Sequence, residues 1–259
     1  MSDSRKVFNK YLESGIRFDG RKLDDFRDVE ITVGVSKTAE GSAQVKVGDT
    51  EVIAGVKLSI GTPYPDTPDE GALMVGAEFL PLSSPDFESG PPGIESIELA
   101  RVIDRGIREA QVIDNKQLCI EKGEKVWTVS VDICTINDDG NLLDASGIAT
   151  LAALMDTKFP EFDGTSVDYK VKTKKGLPMT KYPVPVTVYK IGNKLFVDPS
   201  VDEQDHFDAR LTVTTLEDGT ICALQKGGSA PLTIDEIDGM AALAIKTAPN
   251  LRKKLMGKK

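Results

Sequence analysis

Three arginines offer the first chemistry. Arg101, Arg105 and Arg108 recur at four- and three-residue spacing within IESIELARVIDRGIREAQVI, Ile94 to Ile113. On a helix turning ~100° per residue they share a sector ~60° wide. A row of guanidinium forks on one face suits successive phosphates of a nucleic-acid backbone. Glu98, Asp104 and Glu109 are interleaved with them. Asp104 stands at pairing distance from both Arg101 and Arg108, so the same row also fits a solvated, self-paired face. A second cluster is acidic: Asp198, Asp202, Glu203, Asp205 and Asp208 lie within FVDPSVDEQDHFDAR, Phe196 to Arg210. Carboxylates at this density suit Mg2+ or acid–base work, and equally a polar connection between strands. Two glycine loops, Asp138 to Asn141 and Lys226 to Ser229, precede apolar or capped segments and could present free N–H groups to an anion, or simply turn the chain. Any His-dependent nucleophile must use His206, the single histidine. Cys119, Cys134 and Cys222 are far apart and form no CxxC, which argues against a disulfide framework or a zinc site and for small core residues.

These residues need elements to position them. A short amphipathic helix is expected over 3–14, followed by a turn at Phe18 to Arg21. Val29, Ile31 and Val33 alternate. Ala43, Val45 and Val47 run into Gly48-Asp49-Thr50, and Val52, Ala54, Val56 and Leu58 return, the pattern of a hairpin. Residues 61–72 and 83–93 are loops around an apolar run from Leu73 to Leu82. The helix 94–113 buries Leu99, Val102, Ile103, Gly106, Ile107 and Ala110, opposite the arginines. Lys125 to Thr135 is a strand bearing Trp127, and an apolar helix spans about 143–156. Residues 157–182 read as a partly extended connection with a basic run at Lys172, Lys174 and Lys175. Strands then resume at Val184 to Ile191 and Lys194 to Asp198. Leu211 to Thr215 pairs with Ile221 to Leu224, and a last helix, capped by Thr233 with Glu236, runs to about 256 with a kink at Pro249. Each half is several strands followed by helices, an α+β architecture with mixed sheets.

Composition narrows the function classes. The chain has 259 residues, 40% hydrophobic and 28% charged, enough to bury a core without disulfides. No apolar run is long enough to span a bilayer, and MSDSRKVFNKYLESG lacks the apolar centre of a signal peptide, so a cytoplasmic protein without membrane association is expected. The net charge of −9 repels a polyanion on average. Contact with nucleic acid therefore requires a local basic patch, helped by a partner with more positive charge.

The same segments resemble the RNase PH family of phosphorolytic exoribonucleases. Arg17-Phe18-Asp19-Gly20-Arg21, with Arg27 following, is similar to the family's RDGR-type opening. GSAQVKVGDTEVIAGVKL, Gly41 to Leu58, resembles its first hairpin, and IELARVIDRGIREA, Ile97 to Ala110, its basic helix. The resemblance runs from about residue 15 to 250. It implies the duplicated RNase PH fold, with an N-terminal domain over 1–160 and a C-terminal domain over 161–259. It also implies a six-membered ring around a channel for RNA.

Within the family, EGALMVGAEFLPLSSPDFESGPPG and LFVDPSVDEQD look like the archaeal exosome subunits that lack their own active site. Active members carry a phosphate loop of the form DGG[ST]R[ST]A. Here Leu143 replaces its arginine and Asp144 adds a negative charge. Active members also hold aspartates in a pattern like EDxxxDxD, and two of these fall on Gln204 and Arg210, with Asp208 retained. Phosphorolysis needs a gripped phosphate and a metal or acid at the leaving oxygen. The resemblance thus implies no catalytic residue and no metal or cofactor on this chain, with Mg2+ and inorganic phosphate at a catalytic RNase PH-like paralogue. Three heterodimers would form the ring, with RNA-binding cap subunits upon it. Arg101, Arg105 and, less directly, Arg108 would hold single-stranded RNA.

Overall fold

The computed structural model describes residues 11–257. The expected helix over 3–14 lies largely outside them. The first strands obey the alternation that predicted them. β1 (Val29–Val33), β2 (Gly41–Val47) and β3 (Thr50–Gly61) form an antiparallel meander, with Val47 opposite Thr50 across a two-residue turn. Gly48 sits there at φ +57°, a left-handed conformation that glycine adopts without Cβ strain. β4 (Ala72–Glu78) is shorter than the apolar run and pairs in parallel with β6 (Lys125–Asn137). The sheet order is β1-β2-β3-β6-β4, with β5 (Cys119–Glu121) added on β6. Every inward valine or alanine of β2 and β3 from Ala43 to Val56 is fully buried.

Two helices follow different rules. α1 (Ile94–Glu109) is amphipathic and buries Leu99, Ala100, Val102, Ile103, Gly106 and Ile107. It ends four residues before the expected 113, because Gln111 turns to φ +54° and starts a path into an extended segment. α2 (Leu142–Asp156) has no polar face: each residue from Leu142 to Leu154 is buried. It lies between β2 and β3 on one side and β9 (Val184–Ile191) on the other, which is where a helix apolar all round must go.

The second sheet is wholly antiparallel, in the order β10-β9-β11-β12, with β10 (Lys194–Val197), β11 (Ala209–Thr215) and β12 (Ile221–Gly227). A single-turn helix, α3 (Val201–Gln204), connects β10 to β11. α4 (Ile234–Met256) packs on β9 and β11. Its expected capping box is present, with Thr233 accepting from the Glu236 N–H and Glu236 accepting from the Thr233 N–H.

Two expectations need correction. The stretch 157–182 contains a hairpin, β7 (Lys158–Phe162) with β8 (Val167–Gly176), whose register shifts on both sides of residue 160. Phe159 and Phe162 pack edge-on against Trp127 of β6, with ring centroids 5.4 and 5.9 Å away. The cysteines are half-buried rather than core residues. Burial nevertheless pushes the Cys134 and Cys222 thiols up, away from the reactive thiolate. No helix among the described residues is long and apolar enough to cross a membrane.

Candidate functional site

A cleft of about 360 Å3 opens where the two sheets meet. The start of α1 supplies Glu95 and Glu98, the loop before α2 supplies Asp138, α2 itself supplies Leu142 and Leu143, β9 supplies Tyr189, α3 supplies Gln204 and β11 supplies Arg210, with Asp205 and Phe207 between the last two and Phe79 and Phe87 completing the wall. Residues more than sixty positions apart in sequence thus converge on one point. Leu143, Gln204 and Arg210, singled out as departures from a phosphorolytic site, all line it.

Their chemistry differs from a phosphate and metal site in three ways. Leu143 offers an apolar, buried side chain. Gln204 turns its amide oxygen inward, where Oε1 accepts from the Asn141 N–H at 3.0 Å. That amide caps the start of α2 and is the kind of donor an anion would use, so the side chain fills the place from within. Arg210 forms an ion pair with Glu98 at 2.8 Å, and its guanidinium lies 5.5 Å from the Phe207 ring. An amide, a paired cation and a leucine do not fit a divalent cation, which takes carboxylate and water oxygens. No cluster of three metal-ligating side chains occurs among the described residues. A neighbouring depression of about 680 Å3 between residues 77–81 and 86–96 carries Glu78, Asp86, Glu88 and Glu95 and no cation, which disfavours a phosphate there too.

The acidic segment does not form one cluster. Asp198, fully buried, is gripped by Arg21 at 2.7 Å and Arg27 at 2.8 Å, and accepts from Asn141 Nδ2 at 2.9 Å. These partners hold its carboxyl below the usual range against the burial that would raise it. Glu203 is buried against Arg17, whose guanidinium also donates to the Val197 and Asp198 carbonyls. Asp208 accepts from the Gly192 N–H at 2.7 Å. Asp202 and Asp205 are exposed. The Arg17-to-Arg27 stretch is therefore the structural counterpart of the acidic segment, a role that nothing local in either stretch announces. Arg27 also donates to the Asp139 and Gly140 carbonyls, fixing the loop below the cleft.

Asp144 proves to be a core residue rather than a charge facing the cleft. It is fully buried and accepts from the Thr187 N–H and hydroxyl at 2.8 and 2.7 Å. Burial pushes its pKa up to about 7. The loop Lys226 to Ser229 is half strand, and Lys226 Nζ bonds the Gly228 carbonyl at 2.6 Å.

The arginine row runs away from the cleft along α1. Arg101, one turn beyond Glu98, is exposed and has no partner among the described residues. Arg105 is exposed and touches Gln225 of β12 through one donor at 3.2 Å. Arg108 is engaged by Asp104, through Nη2 at 2.6 Å and Nε at 3.0 Å, and by the Leu73 carbonyl. Asp104 accordingly raises its pKa. The row is therefore one free arginine, one almost free and one held.

Profiles of the 3′ exoribonuclease family match the chain twice, domain 1 over residues 25–160 and domain 2 over 181–247. The "Exosome complex component Rrp42" of Archaeoglobus fulgidus is 51% identical over 245 residues, covering 94% of this chain and 92% of that protein. A solved structure described as "archaeoglobus fulgidus exosome with RNA bound to the active site" contains a chain that superposes with a TM-score of 0.91 at 49% identity, covering 97% of both chains. Another, "Archaeal exosome core", gives 0.87 at 45% identity, covering 98% of this chain and 96% of that one. Fold, cleft and likeness agree: the chain belongs to the RNase PH family of 3′ exoribonucleases, and these relatives within it are components of archaeal exosomes.

Proposed function

We propose that this chain is a non-catalytic ring subunit of an archaeal exosome, a phosphorolytic 3′-to-5′ exoribonuclease complex. It comprises RNase PH-type domains over 1–160 and 161–259 and pairs with a catalytic RNase PH-like paralogue, three heterodimers to a ring, under RNA-binding cap subunits. Mg2+ and inorganic phosphate act at the paralogue's site, which this subunit helps to shape. Arg101 and Arg105 hold the backbone of single-stranded RNA, and Arg108 adds charge while bound to Asp104. Such contacts position the strand and carry little sequence information.

The observation that carries the inactive assignment is the cleft itself: Leu143, Gln204 and the Arg210–Glu98 pair converge where a phosphorolytic enzyme needs a phosphate grip and carboxylates. The test is a phosphorolysis assay with RNA, phosphate and Mg2+ on the purified chain, then on the chain with its paralogue. The chain alone should release no nucleoside diphosphate, and the assembly should release it readily. Robust release by the chain alone would overturn the assignment.

A further inference from the structure

Given the pairing proposed above, we infer that the depression at the start of α1 is where the catalytic paralogue seats, through a lysine- or arginine-bearing segment that also presents an apolar side chain. The depression measures about 680 Å3 and is lined by Glu78, Asp86, Glu88 and Glu95, all exposed. None of the four forms an ion pair among the described residues, and no lysine or arginine lines the depression. Its apolar part is Phe79 and Phe87, in ring contact with centroids 4.7 Å apart, together with Pro91, Pro92 and Ile94. Ile94, the first residue of α1, is 86% exposed. Apolar area left in water gains free energy when another protein covers it, and marks a surface made for contact. Unpaired carboxylates around that area repel RNA and attract a cationic protein segment. The loop is tied down where it leaves β4. Leu80 N–H donates to Thr135 Oγ1 of β6 at 3.1 Å, Ser83 Oγ lies 2.7 Å from the same hydroxyl, and Asp138 N–H donates to the Ser83 carbonyl at 2.9 Å. Binding therefore bears little cost of ordering that part of the loop.

Position selects the paralogue among cationic proteins. Ile94 stands seven residues before Arg101 on α1, ~10.5 Å along the axis and within ~20° of the same face. An RNA strand held at Arg101 and Arg105 thus passes beside the depression. Phe79, Phe87 and Glu95 also line the cleft, where this chain has no phosphate grip of its own. The protein seated there is the one that must take up the strand for phosphorolysis. A second copy of this chain would bring a net charge of −9 to an acidic surface, which opposes self-association.

The test uses the full-length chain and its purified paralogue. Amide hydrogen exchange, followed by mass spectrometry, should slow over residues 86–96 when the paralogue is added and stay unchanged with oligouridylate alone. Asp86→Lys/Glu88→Lys should weaken binding to the paralogue at least about tenfold at low salt, and the difference should shrink as salt screens the charges. Ile94→Ser should weaken it at least about fivefold at low and high salt alike. These side chains are exposed, so the variants keep the fold, which circular dichroism checks. If the parent binds the paralogue while either variant binds as tightly, or while residues 86–96 stay unprotected, the depression is not the seat and the pairing itself stands. If the parent binds no paralogue, the pairing falls and the seat with it. Protection that grows with the concentration of this chain alone would identify a second copy as the occupant, and protection by oligouridylate alone would identify RNA. Either result overturns the assignment.

Discussion

Arg17 makes an ion pair with Glu203 inside the protein, both side chains almost wholly removed from solvent. Removing one partner of such a pair leaves a buried charge uncompensated. Arg17→Ala should therefore cost about 3–5 kcal/mol, measured by denaturant unfolding, whereas replacing both residues by apolar side chains of similar volume should cost far less. Asp144 and Asp198 titrate with opposite signs. The folded-state pKa of Asp144 is raised to about 7, so between ~4 and ~7 the folded form holds a proton that the unfolded chain releases. Stability from this group falls as pH rises through that window. Asp198 has a lowered pKa, so its contribution is complete above ~4 and is lost as pH falls below that. Asp144→Asn should flatten the slope between pH 4 and 7 and leave the acid limb, a difference visible in unfolding midpoints across pH. Sequence showed Asp144 only as a substitution in a loop motif. Its burial depends on Thr187, 43 positions away, and nothing local marks that contact.

Helix α1 shows how far an element is legible in its own sequence. The apolar stripe and the opposite arginine row both follow from the 3.6-residue period, and both are present. The stop at Glu109 was hidden, because a left-handed glutamine ends the helix without a glycine. The state of each arginine was half visible: the Asp104 pairing of Arg108 follows from spacing, but Gln225 beside Arg105 comes from another sheet. Because Arg101 and Arg105 face solvent, changing both to alanine should move unfolding free energy by less than about 0.5 kcal/mol each. In the assembled complex the same variant should lower the salt dependence of RNA binding. A large loss of stability would instead show that the row is a packing element. The β7–β8 hairpin was legible only as an extended, basic stretch. Pro160 and Gly164 break its alternation, and the aromatic anchor that organises it, Trp127, lies on a distant strand.

At the level of the whole molecule, the cleft is a product of topology. Glu98, Leu143, Gln204 and Arg210 belong to four elements, and only the packing of α2 between two sheets brings them together. Resemblance marked which of these positions mattered, while the Gln204–Asn141 bond and the Glu98–Arg210 pair appeared only in three dimensions. On the proposed non-catalytic role, building a phosphorolytic site here requires more than single changes. Leu143→Arg alone should leave the chain without phosphorolytic activity in the assay above, since Gln204 still occupies the Asn141 amide and Arg210 still sits on Glu98.

The segment before β1 crosses to the far half: Leu12 packs with Tyr189, Ile191 and Phe196, and Asp24 meets Lys246. With α2 wedged between the sheets, the connection at Asp163–Ser166, exposed throughout, is mechanically redundant. A protease that nicks this tip should yield two fragments that co-elute as one particle and part only in denaturant.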